Sequence, residues 1–268
     1  MSDSELRTQY HQSLDGLSRD VMRLGAMVCE TIPAGTEVLL AGDLHAAQAL
    51  IDADDPIDQL SIEIEDQCYS ILIREAPKAG ELRQIVTIVK LVAELERSAD
   101  LMINVAKTSR RMHGTTMSPR IRGLVSSMAK EAARLMRLAL DAYADGDAAV
   151  AAALADIDDE LDELNRDMVQ AIFEAHSAGW IDLGAAVQLA LVARYYERVG
   201  DHAVNIGERV TYMVTGWLPE QLGAYREELR ARHDQERGEA AGSGSGGGVH
   251  ANGTADGGSG ANPGSPRR

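Results

Sequence analysis

The sequence predicts an all-α protein made of two tandem three-helix bundles related by internal duplication. Three observations carry that prediction. Apolar residues recur at helical spacing through nearly all of residues 4–220. Aromatic residues are only 4% of the chain, with a single Phe, so the core must be built from Ala, Leu, Ile, Val and Met, which suits packed helices better than sheets. The order of helix breaks and of acidic motifs then repeats once.

Breaks at Gly42-Asp43, Pro77 to Gly80, Gly114 to Pro119, Gly146-Asp147 and Gly179 to Gly184 divide the body into six predicted helices, roughly 4–41, 43–75, 80–112, 119–144, 147–176 and 182–215. In the first, Pro33 is expected to kink or interrupt the helix, because it lacks an N–H and its ring crowds the preceding turn. Asp43, Ser118 and Asp147 are the expected N-caps of the second, fourth and fifth. The third carries Ile85, Ile88, Val89, Val92, Leu95, Ala99 and Met102 on one stripe; the fourth carries Ile121, Leu124, Val125, Met128, Ala132, Leu135 and Leu138. Met102, Met128, Met136 and Met168 read as core filling.

The formal net charge is -16. The segment after Glu220 holds six Arg and six Asp or Glu, so the whole charge sits on residues 1–220. Such a body repels nucleic acid and anionic membrane and attracts cations or a basic partner. Cys29 and Cys68 stand far apart with no CxxC pattern, which fits a reduced cytosolic setting. The N-terminus lacks a signal-peptide layout, and no window of 18 apolar residues is free of charge, so no direct membrane insertion is expected. Residues 238–268 hold eleven of the 25 Gly, and residues 221–268 are expected to form a low-complexity, disordered tail.

Gly42-Asp43 matches Gly146-Asp147 at an offset of 104, as do Asp54, Asp55, Asp58 and Leu60 with Asp158, Asp159, Asp162 and Leu164. Glu96, Arg97, Asp100 and Asn104 match Glu197, Arg198, Asp201 and Asn205 at an offset of 101, the loop after the second helix being three residues shorter in copy two. Copy one spans 1–116 and copy two 117–220.

Two constellations in each copy can carry chemistry. In Glu96-Arg97-x-x-Asp100-x-x-x-Asn104 and its twin Glu197-Arg198-x-x-Asp201-x-x-x-Asn205, residues four apart share a helix face, so two carboxylates and an amide oxygen line one stripe. Asp54-x-x-x-Asp58 and Asp158-x-x-x-Asp162 lie on the preceding helix, where antiparallel packing can bring them to face the first motif. Oxygen-only ligands suit Mg, Mn or Fe. The plainer reading is a solvated acidic face, with Arg97 and Arg198 paired to neighbouring carboxylates; recurrence in two diverged copies raises a metal or ionic site to equal standing with it, and the residues alone leave both open. Asp54 or Asp55 can instead be an N-cap before Pro56, an option copy two lacks, having Glu160 there. Catalysis has little support. His202 beside Asp201 reads as a surface residue, His176 as one near a helix end, and the Glu-x-x-His pairs of di-iron carboxylate enzymes are missing.

With these motifs the chain resembles the PhoU family of phosphate-transport regulators over about residues 4–218. The likeness rests on Ala41-Gly42-Asp43, the two Asp-x-x-x-Asp pairs, Pro77 to Leu82-Arg83, Leu95-Glu96-Arg97-Ser98-Ala99-Asp100, Tyr196 to Ile206, and Glu208-Arg209-Val210. The resemblance implies metal clusters on Asp54, Asp58, Glu96, Asp100, Asp158, Asp162, Glu197 and Asp201, with Asn104 and Asn205 as further matching positions and the metal open among Mg, Mn, Fe and Zn. It implies a non-enzymatic cytoplasmic adaptor, a homodimer, that acts on the ATPase subunit of a phosphate ABC transporter and represses the phosphate-starvation regulon through a membrane sensor histidine kinase. The rival readings are a metal-carboxylate oxidase on a helical bundle, disfavoured by the missing His ligands, and a purely structural helical dimerisation module.

Overall fold

A computed structural model of the chain describes residues 3–74 and 77–217. Seven helices are found there and no strand: α1 (Asp3–Ala41), α2 (Leu44–Asp52), α3 (Asp55–Arg74), α4 (Ala79–Arg111), α5 (Pro119–Asp145), α6 (Ala148–Ser177) and α7 (Leu183–Thr215). The tail expected over 221–268 lies outside the described residues.

Two expectations change. The single helix predicted over 43–75 is two, α2 and α3, parted at Ala53 and Asp54. Pro56 is the cause: lacking an N–H and crowding the carbonyl four residues back, it belongs in a first turn, and it is the second residue of α3. The Asp54 carbonyl opens the new helix, accepting from the Ile57 and Asp58 N–H groups at 2.9 and 3.4 Å. Pro33 does not interrupt α1, which runs unbroken through it on an exposed face. In addition, Tyr10–Ala41 of α1 is long and apolar enough to cross a membrane by length and composition, where none was expected. Half of that window is buried within the fold.

The caps follow the reading. Asp43 accepts from the N–H groups of His45 and Ala46, Asp147 from Ala149 and Val150, and Ser118 from Ile121. Gly42 and Gly146, at φ 66° and 62°, take the left-handed turn before each capping Asp, a conformation only Gly adopts without penalty.

Tyr10, Leu14, Leu17, Val21, Leu24, Val28 and Ile32 make a buried seam along α1. From Tyr10 to Val28 the spacing alternates between four and three, that of side chains packed knobs-into-holes between near-parallel helices, and Ile32 follows after a second step of four. They join one core with Ile85, Leu91, Leu95 and Met102 of α4, Val125 and Met128 of α5, and Leu189, Val192 and Tyr196 of α7. The four methionines read as core filling are fully buried. A small cluster of Val38, Ala47 and Ala106 seats α2 on α1 and α4.

The helices that carry the Glu-x-x-x-Asp motifs pack together and run antiparallel. Arg83 Nε donates to the Met213 carbonyl at 3.5 Å, and Arg111 Nη1 to Gln188 Oε1 at 3.4 Å. The start of α4 therefore meets the end of α7, and the reverse.

Candidate metal centre and its surroundings

In copy one, Asp54 just before α3 and Asp58 in its first turn lie near α4, which carries Glu96 and Asp100. Burial pushes the Asp54 carboxyl up from 3.8 to about 6; Asp58 and Asp100 add to the rise and Lys107 opposes it. Glu96 is raised as well, first by burial and then by Asp100 and Asp58. Each acid thus feels carboxylates of the other helix, as the repeat required. Asp54 Oδ1 is buried with no hydrogen-bond partner, so this oxygen does not serve as a helix cap.

Copy two repeats the pattern on α6 and α7. Burial lifts Asp158 from 3.8 to about 6, with Asp162, Asp201 and Glu197 adding to it. Asp158 Oδ1 and Glu197 Oε2 are buried and unpartnered. Gly200 makes the approach possible: a Cβ there would sit 2.4 Å from Asp158 Oδ1 and 2.7 Å from Leu161 Cδ2. One heptad on, a Cβ at Gly207 would lie 2.6 Å from the Ala151 carbonyl oxygen. The two glycines let α6 lie against α7 with its acids facing the motif.

Two polar contacts were not legible in the sequence. Arg194 Nη1 pairs with Glu197 Oε1, and its Nη2 lies 3.9 Å from Asp201 Oδ2. Copy one has Ala93 at the equivalent place. His202, expected at the surface, is buried at 5% exposure. Its Nδ1 lies 2.9 Å from Ser98 Oγ on α4, and its Nε2 lies 3.8 Å from Glu94 Oε2, an oxygen with no hydrogen-bond partner. Burial, aided by Arg97 and Arg198, pushes the imidazole down to about 4, so it is neutral at physiological pH. The antiparallel packing of α4 and α7 encloses it. Arg97 pairs with Glu94 at 2.7 Å, as the plainer reading supposed, rather than with Glu96. His176 sits in the last turn of α6, its Nδ1 3.1 Å from the Ile181 carbonyl oxygen.

The donor set is carboxylate oxygen, and three of its buried oxygens lack partners, which fits an oxygen-preferring cation. As placed, the side chains stand apart: no three His, Cys, Asp or Glu among the described residues are grouped to hold a metal ion. Asn104 and Asn205 are half-buried on the same helices one turn further on.

A second feature is also duplicated. Tyr69, Leu82 and Val86 in copy one, and Phe173, Leu183 and Val187 in copy two, occupy equivalent positions and are all exposed. In copy two Val169, Trp180 and Leu191 are exposed as well.

The family model described as the PhoU domain matches residues 21–109 and again 125–210. The chain is 33% identical over 215 residues to phosphate-specific transport system accessory protein PhoU homolog 1 of Mycobacterium tuberculosis, covering 80% of this chain and 96% of that protein. PhoU homolog 2 of the same organism is 32% identical, over 80% of this chain and 100% of its own length. Among solved structures, PhoU from Pseudomonas aeruginosa superposes with a TM-score of 0.73 at 28% identity, covering 78% of this chain and 100% of that one. The phosphate transport system regulatory protein PhoU from Streptococcus pneumoniae, 24% identical, shares the fold with a TM-score of 0.72.

Proposed function

Since the chain belongs to the PhoU family, we propose that it is a cytoplasmic, non-enzymatic regulatory adaptor of phosphate uptake and signalling. The observation that carries this reading is the extent of the likeness. It spans nearly the full length of the M. tuberculosis relatives and holds both copies of the motif. The finer reading is that the chain restrains a phosphate transporter through its ATPase subunit and silences the phosphate-starvation regulon through a membrane sensor kinase. It does so by binding the inhibited transporter or the phosphatase-active kinase in preference to the other state. Deletion should raise starvation-gene expression at plentiful phosphate, and the intact gene should restore repression. M. tuberculosis holds two such relatives of similar identity, so the strain tested must lack every copy. Unchanged expression in that strain would overturn the reading.

The four carboxylates of each copy would hold a cation, which would supply positive charge to relieve their mutual repulsion. Asp54, Asp58, Glu96 and Asp100 would serve copy one, and Asp158, Asp162, Glu197 and Asp201 copy two, with Asn104 and Asn205 as neutral oxygen donors. The buried, unpartnered oxygens of Asp54, Asp158 and Glu197 support this assignment. We assign two bundle domains, 1–116 and 117–220, on the same repeat. The apolar patch of Phe173, Trp180, Leu183 and Val187 supports a homodimer formed on that end of α6 and α7. Leu183→Glu should then yield a monomer by light scattering; a mass unchanged from the wild type would remove this assignment.

A further inference from the structure

A groove of about 600 Å³ runs between α1 and α5. Going beyond the reading above, we propose that it is a docking site for an acidic amphipathic helix of a partner protein.

The two walls run antiparallel. Arg122 Nη1 donates to the Leu40 carbonyl at 2.7 Å at one end, and Leu140 packs on Gly25 beyond the other. The α1 wall is Pro33, Thr36, Glu37, Leu40 and Ala41. The α5 wall is one helical stripe, made of the buried or half-buried Ser126, Ala129 and Ala133 and the exposed Arg122, Lys130 and Arg137.

Three features select the occupant. Small side chains on α5 let another helix backbone approach closely, the condition for helix packing into a groove. The Arg122–Arg137 stripe runs for roughly 24 Å, at about 1.5 Å per residue, which matches a helix of some four turns. The third is charge. The lining has three cations and one carboxylate, within a chain of net charge -16. Among the described residues Lys130 and Arg137 make no salt bridge, whereas Arg134 one turn from Lys130 is held by Glu131 and Glu160. An acidic segment is repelled by most of this body and attracted to this stripe. Its aliphatic ridge would lie on Leu40, Ala129 and Ala133, and its Asp and Glu flank would meet Lys130 and Arg137.

The test uses the full chain and a fluorescein-labelled helical peptide of about 16 residues, with a Leu and Ala ridge and Glu flanks. A scrambled peptide of the same composition is the control. Fluorescence anisotropy should show saturable binding of the ordered peptide, at least about tenfold tighter than the scrambled one, and weakened by added salt. Lys130→Glu with Arg137→Glu, both exposed positions, should cost about tenfold or more in Kd while leaving the melting temperature near that of the wild type. Ala133→Leu, which fills the groove, should weaken binding without changing charge. Equal affinity for the two peptides, or unchanged affinity in the charge-reversed chain, would overturn the proposal. So would a wild-type dimer that dissociates in the charge-reversed chain, since the groove would then belong to a second copy.

Discussion

Ser98 Oγ and His202 Nδ1 lie 2.9 Å apart in the buried seam between α4 and α7, and this contact joins the two acidic motifs directly. Ser98 stands between Glu96 and Asp100, and His202 follows Asp201. Ser98 also donates to the Glu94 carbonyl at 2.7 Å, so its hydroxyl hydrogen is committed and it accepts from His202 Nδ1–H. That bond leaves Nε2 with its lone pair towards Glu94. His202→Ala should lower stability by about 1–3 kcal/mol through the lost bond and the void left behind. Urea unfolding checks this; a change below about 0.5 kcal/mol would match a surface position instead.

The raised carboxyls make stability depend on pH. Asp158 ionises near 6 in the fold against 3.8 ordinarily, so between those values the native chain holds the extra proton. Its contribution to stability therefore falls as pH rises through that window. His202, depressed to about 4, works in the opposite direction, because protonation favours the unfolded chain as pH drops below 6.5. The comparison that isolates the acid is Asp158→Asn against the wild type, both in chelator. The variant's relative stability should climb from pH 4 to 7 and level off above. A pH-independent difference would show that Asp158 is solvated like an ordinary surface acid.

Two glycine substitutions should move stability in opposite directions. At Gly207 a methyl would meet the backbone oxygen of Ala151 at 2.6 Å, so α6 must shift. Gly207→Ala should destabilise by about 1–3 kcal/mol from overpacking, partly offset by better helix propensity. Gly123 in α5 has nothing within 4 Å, and Gly123→Ala should stabilise by about 0.5–1 kcal/mol. Thermal melts of the two variants beside the wild type give both signs.

Added Mg, Mn or Fe should raise the melting temperature of the wild type through binding to the native state, equivalent to about 2.7 kcal/mol at a hundredfold excess over Kd. Glu197→Gln with Asp201→Asn should remove copy two's share of that rise. In chelator the variant should be no less stable than the wild type, since the ion pair it gives up is half-exposed on the Arg194 side and the repulsion between the neighbouring carboxylates goes with it. Identical wild-type melts with and without cation would eliminate the metal assignment and leave the adaptor role.

Helix positions, caps and the core stripes were legible because spacing and capping chemistry act over a few residues. Asp43, Ser118 and Asp147 cap where the sequence places them. The break at Ala53 and Asp54 was half legible: Pro56 signalled a first turn, yet the apolar pattern ran through it. His202 was misread because its burial comes from α4, more than 90 residues away, and no local pattern records that packing. Arg194 was missed because it lies outside the duplicated motif, three and seven residues before its partners Glu197 and Asp201, and has no counterpart in copy one. The exposed pairs Tyr69 and Phe173, Leu82 and Leu183, and Val86 and Val187 did leave a signal. They are apolar at equivalent positions in both copies, which reads equally as core until burial is known.

Arg194 also makes the two halves of the molecule unlike. Copy two carries a tethered counter-ion, a guanidinium already lying on Glu197 and within 3.9 Å of Asp201. Copy one offers Ala93 there and depends on Lys107, which acts on Asp54 and whose equivalent in copy two is Glu208. An incoming ion would have to evict a side chain from one half and only settle into the other. Were each half to take the proposed cation, the two would therefore fill at different ion concentrations.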